Sequence, residues 1–85
     1  MKHAGAAALD ALEPLLEQLR AIDGLKEKSR GCFYRGSKAF LHFHEDFGGF
    51  FADLKKGGDF VRLPVNNRLE IAALIRDAKI SARAD

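Results

Sequence analysis

Hydrophobic residues recur along this chain with two periods. Leu12, Leu15, Leu16, Leu19 and Ile22 fall at helical spacing, with Asp10 or Glu13 near the start, Pro14 in the opening turn and Gly24 as terminator. Ile71, Leu74, Ile75 and Ala78 form a second helical stripe, opened by Asn67 and Glu70 at capping-box spacing. Between them the period falls to two, most clearly in "KAFLHFHED" at 38–46, and predicts four strands. Pro14 opposes a helix continuous from the start, so residues 1–9 are expected to fray, as is "SARAD" at 81–85.

Turn residues set the strand registers. Gly36 and Ser37 make a two-residue hairpin that puts Arg35 opposite Lys38 and Phe33 opposite Phe40. Gly57 and Gly58 put Lys56 opposite Asp59, Leu54 opposite Val61 and Asp53 opposite Arg62. A turn about Phe47 and Gly48 puts Glu45 opposite Phe50 and His42 opposite Asp53. With the pleat applied, one face collects Cys32, Tyr34, Ala39, Leu41, Phe43, Phe50, Ala52, Leu54, Val61, Leu63 and Val65. It is apolar almost throughout and calls for a cover of helices. The other face collects Phe33, Arg35, Lys38, Phe40, His42, His44, Phe51, Asp53, Lys55, Phe60 and Arg62, with no layer predicted over it. The expected fold is α+β: a two-layer sandwich, α-β-β-β-β-α, whose four-stranded antiparallel meander carries the N- and C-terminal helices on one face.

Composition narrows the setting. Eighty-five residues make one small domain with a modest core, and 47% apolar with 31% charged residues is the balance of a soluble globular protein. No apolar run nears the roughly 20 residues of a membrane span, and "AGAAALDAL" is too short and too weakly hydrophobic for a secretory signal. A cytoplasmic protein without a membrane partner is expected. Cys32 stands alone, so no internal disulfide forms, and its place on the apolar face suits a small core residue better than a reactive thiol. A net charge of +2 is too slight to argue nucleic-acid binding by itself.

The residues that could carry chemistry lie on the uncovered face. His42 and His44 stand two apart on one strand with Asp53 across from His42, a possible metal set. Because Asp53 is also claimed by Arg62, the plainer reading is a polar row, His42, Asp53 and Arg62, in which the carboxylate neutralises its cross-strand neighbours. No metal or cofactor is therefore assigned. In that row the carboxylate is expected to raise the pKa of His42. Glu45 and Asp46 could form an acid/base pair, but they sit at a hairpin tip, and no nucleophile motif or phosphate-binding glycine pattern occurs. No enzyme activity is expected.

Arg35, Lys38, Lys55 and Arg62 interleaved with Phe33, Phe40, Phe51 and Phe60 offer what base stacking with phosphate contact needs. The same rings would also make a self-complementary patch for a homodimer or another protein partner. The reading from the residues alone is a non-enzymatic domain that binds a partner through this face, with nucleic acid or an anionic ligand as the alternative and a metal-dependent enzyme at His42, His44 and Asp53 as an outsider.

The order "GLKEKSRGCFYRGSKAFLHFHED", then a glycine-rich turn and "GFFADLK", resembles the start of small bacterial YjbR/MmcQ-like proteins over roughly residues 22–55. Lys38, Phe40, Asp53 and Lys55 carry the resemblance. It implies a compact α/β arrangement likened to a double-winged, DNA-binding-type fold, and it implies no catalytic role for those four residues.

Overall fold

The computed structural model describes residues 2–84, and its elements follow in the order β1 (Lys2–His3), α1 (Ala6–Ala11), α2 (Glu13–Arg20), β2 (Lys26–Ser29), β3 (Cys32–Arg35), β4 (Lys38–Asp46), β5 (Gly49–Lys56), β6 (Asp59–Pro64) and α3 (Arg68–Arg83). It is an α+β fold built on one antiparallel sheet in the order β2-β3-β4-β5-β6. β1 pairs with β4 at His44 and Glu45, residues that pair with β5 on their other side, so β1 continues the line of β3 along the same edge of β4. Six strands stand where four were expected. No helix among the described residues is long and apolar enough to cross a membrane.

The two added strands have non-periodic causes. β2 is "KEKS", without an apolar alternation, and charge ties it down: Glu27 accepts from the Gly31 amide at 2.8 Å and pairs with Arg20 of α2. Arg20 and Arg30 both reach Glu13, whose carboxyl they hold down at about 2. β1 is held by its short ladder, by Ala4 N–H donating to Phe43 O at 3.1 Å, and by Gly5 N–H donating to Glu45 Oε2 at 2.6 Å. The terminal segments expected to be loose therefore carry regular structure at residues 2–3, 6–9 and 81–83; Met1 and Asp85 lie outside the described residues.

Pro14 occupies the first turn of α2, where its missing N–H costs no helical hydrogen bond, and α1 ends just before it at Leu12. Asn67 caps α3 by accepting from the Glu70 amide at 2.9 Å, while the Glu70 carboxylate reaches back one residue beyond the cap to the Asn66 amide. One core joins Leu12, Leu15, Leu16 and Leu19 of the N-terminal helices, Leu74, Ala78 and Ala82 of α3, and Leu41, Phe43, Ala52 and Leu54 of the sheet. Both helical stripes thus cover the face on which the apolar alternation converges. Val61, on the edge strand β6, is the exception and stays exposed.

The expected registers hold at Arg35 with Lys38, His42 with Asp53, and Lys56 with Asp59. The first hairpin departs from expectation two residues from its turn. Between Phe33 and Tyr34 the register shifts, so Phe33 faces Leu41 and Tyr34 faces Ala39, leaving Phe40 as the extra residue of a β-bulge. The shift turns Phe33 onto the helix-covered side. Phe33 and Phe40 are 1% and 4% exposed and belong to the core, which corrects their assignment to the open face. The driving force is plain: two phenylalanine rings each gain roughly 1.5–3 kcal/mol by leaving water, more than one unpaired ladder position costs.

This placement gives a direct expectation. Phe33→Ala should destabilise the fold by about 3–5 kcal/mol, the usual range for emptying a core aromatic site, whereas Phe60→Ala should cost no more than about 1 kcal/mol. Urea unfolding of the two variants checks this, and equal losses would place both rings in the same environment.

Candidate metal centre on the open sheet face

Alternation along β4 sends Leu41 and Phe43 into the core and leaves His42 and His44 on the opposite face. β5 brings Asp53 directly across from His42, and β6 brings Arg62 across from Asp53. β1 adds a residue that periodicity does not point to: His3, directly opposite His44. Three imidazoles from two strands therefore meet, with ligand nitrogens of His3, His42 and His44 all within 4.8 Å of one another.

The geometry within the cluster is tight. His42 Nδ1 lies 3.1 Å from His44 Nε2, and His44 Nε2 lies 3.0 Å from Asp53 Oδ2. His42 Nδ1 is 3.9 Å from the same oxygen, too far for a hydrogen bond. The His3 ring stacks on His44 with centroids 4.6 Å apart, and His3 is exposed, so its nitrogens can turn toward the cluster by side-chain rotation alone. Phe60 closes one side, its ring centroid 5.1 Å from that of His42.

His44 and Asp53 are 8% and 7% exposed, unusual for residues on an uncovered face. Asp53 tolerates this because Arg62 donates to both carboxylate oxygens at 2.8 Å, a bidentate pair that holds the carboxyl below the usual carboxylate range. His44 is less well provided for: Nδ1 is buried without a hydrogen-bond partner among the described residues. A single proton on His44 Nε2 can serve Asp53 or His42, but nothing on the Nδ1 side selects the tautomer.

The pKa of His42 is lowered from its ordinary value of 6.5, chiefly because burial disfavours the imidazolium. Asp53 pulls the other way, and His44, His3 and Arg62 reinforce the lowering. The expected rise is thereby reversed, since burial of the ring outweighs the pull of a carboxylate already engaged by Arg62.

The other residues assigned to the open face divide. Phe51, Lys55, Phe60 and Arg62 lie on it with the histidines, and Lys55 reaches the Phe60 ring at 5.9 Å. Arg35 and Lys38 stand toward the other end of β4, where they line one cavity with Phe40 and Lys55, and Arg35 donates to the Ala84 carbonyl at the end of α3 at 2.6 Å. With Phe33 and Phe40 buried, the interleaving of four rings and four cations is assembled only in part: Arg35, Lys38 and Lys55 share one cavity with Phe40, and Lys55 also reaches Phe60. Glu45 holds the Gly5 amide, and Asp46 accepts from Gly48 in the turn at 2.7 Å. Cys32 is a free, half-buried thiol.

His3 was missed because it lies upstream of Pro14 in a segment with no periodic pattern. The available signal was composition: the three histidines of the chain are His3, His42 and His44. Comparison of the chain with family models, with curated proteins and with solved structures finds no match in any of the three.

Because the folded pKa of His42 lies below its unfolded value, the stability linked to its neutral form is fully present above about 6.5 and is lost as pH falls through the folded pKa. A proton NMR titration should place His42 below the ordinary histidine midpoint, and Asp53→Asn should lower it further by removing the one opposing charge. A midpoint that rises in the variant would show that the carboxylate does not face His42.

Proposed function

We propose that this domain binds a single divalent transition-metal ion of the zinc type through His3, His42 and His44, with Asp53 beside them. The observation that carries the reading is the convergence of three imidazole nitrogens within 4.8 Å on one sheet face. Around a tetrahedral ion with bonds of about 2.0–2.1 Å, neighbouring ligand atoms stand roughly 3.4 Å apart. The separations of 3.1, 3.0 and 3.9 Å among His42 Nδ1, His44 Nε2 and Asp53 Oδ2 bracket that edge, so side-chain rotations would be needed to seat an ion. Imidazole-rich sites favour zinc, copper and nickel over magnesium and calcium, which take oxygen donors.

The charge balance suits the same ion. Three neutral imidazoles leave the charge of a bound dication largely uncompensated, and Asp53 contributes a carboxylate within reach, partly neutralised by Arg62. The missing hydrogen-bond partner at His44 Nδ1 sets an upper bound on affinity. Ligand histidines usually donate their second ring N–H to a carboxylate or carbonyl, and loss of such a partner weakens binding about 10- to 100-fold. Weaker binding than at closed structural zinc sites is therefore the expectation for this site.

A partner surface on the same face, with Phe51, Phe60, Lys55 and Arg62 around the cluster, is compatible with the metal reading. It has lost two of its four rings to the core, so the metal reading is the better supported.

Isothermal titration of the untagged chain with zinc chloride at neutral pH tests it. One ion per chain is expected, with an affinity that His42→Ala and His44→Ala each weaken at least about tenfold. Cobalt(II) should give the absorption of a tetrahedral site, and that absorption should fade as acid protonates the ligands. Equal zinc affinity in the wild type and the His42→Ala, His44→Ala double variant would refute the site.

A further inference from the structure

The site is made of two unequal halves. His42 and His44 sit on β4, which is paired on both edges and packed over the core. His3 sits on a two-residue strand whose side chains are both exposed. Apart from the ladder at Lys2 with Glu45 and His3 with His44, that strand is tied to the sheet by the Ala4 amide on Phe43 O and the Gly5 amide on the Glu45 carboxylate. Segments held by so few exposed hydrogen bonds open locally well below the cost of global unfolding. The rigid half is present at all times, and the other half is present only while β1 is docked.

Resting on the metal reading above, we infer that the ion acts as a clasp: its binding docks the N-terminal strand on β4, its loss releases that strand, and Glu45 sets the affinity as a positioning residue. The coupling follows from linkage. An ion that takes three histidines from the docked state and two from the released state favours docking by the ratio of the two affinities. The same coupling runs in reverse, so whatever holds β1 in place must strengthen ion binding equally.

Glu45 is the residue on which this reciprocity can be read. Its side chain accepts from Gly5 N–H at 2.6 Å and so latches the chain two residues beyond His3. It belongs to neither the histidine cluster nor the Asp53 pair. A cavity lined by Lys2, Glu45, Asp46 and Phe47 lies against this latch, while the next residue of the segment, Ala4, packs against the core.

Hydrogen exchange of the full chain with and without zinc chloride tests the clasp, read at the Ala4 and Gly5 amides. Zinc should slow exchange there at least about tenfold, leave α3 amides unchanged, and lose its effect on Ala4 and Gly5 in His3→Ala, which keeps two ligands. Glu45→Ala should weaken zinc binding several-fold in titration, and Glu45→Gln, which retains an acceptor for Gly5, should restore it; Asp46→Ala should change nothing. If zinc binds to His42 and His44 while exchange at Ala4 and Gly5 stays the same, the clasp is overturned and the metal site stands. If Glu45→Ala binds zinc as tightly as wild type, the positioning role is overturned. If zinc does not bind at all, both readings fall together.

Discussion

Burial of Leu41 and Phe43 on β4 against Ala52 and Leu54 on β5, beneath the helices, is the constraint on which the rest of this structure depends. Side chains alternate strictly across a sheet, so a slip of one residue in this pair would carry one strand's apolar set into water. Losing the burial of Ala52 and Leu54 and turning Asp53 and Lys55 toward the core would cost on the order of several kcal/mol, a large part of the stability of a domain this small. With that register held, the intervening residues have no freedom of side. His42, His44 and Asp53 must share the opposite face, and β6 must set Arg62 beside Asp53. The candidate metal centre is in this sense the reverse side of the core.

Asp53 is the pivot of that reverse side. A carboxylate this deeply buried needs a compensating partner, and the bidentate contact with Arg62 supplies one from the neighbouring strand while leaving Oδ2 within reach of His44. The histidines are less settled: one buried nitrogen has no partner among the described residues, and two ring nitrogens face each other at 3.1 Å. Well-packed cores do not usually leave polar atoms in such an arrangement, and sites that accept a ligand commonly do. The polar row and the proposed metal site draw on one cluster of side chains.

The N-terminal strand completes the cluster at small cost to the fold. β1 adds only two residues to the sheet and buries neither of its side chains, so the core does not depend on it. On the proposed metal reading, such an element would add a ligand and could respond to an ion without unfolding the domain. The salt-bridged β2 stands at the outer edge of the sheet and plays the opposite part, since Arg20, Arg30, Glu13 and Glu27 join it firmly to α2.

What the chain determined by itself was everything carried by periodicity and turn chemistry: the stripe from Leu12 to Ile22, the Asn67 cap of α3, the three hairpin turns, and the pairing of His42 with Asp53 and of Asp53 with Arg62. These are local matters, settled within a few residues by backbone sterics and alternation. Three features were decided only by tertiary structure. Phe33 and Phe40 changed environment because a bulge, invisible to a strict period of two, let the core take both rings. β2 formed from a charged stretch because Arg20, on another element, supplied its counter-charge. His3 joined His42 and His44 across some forty residues of chain because β4 had an open edge beyond the end of β3, and backbone groups left unpaired there are best satisfied by another strand.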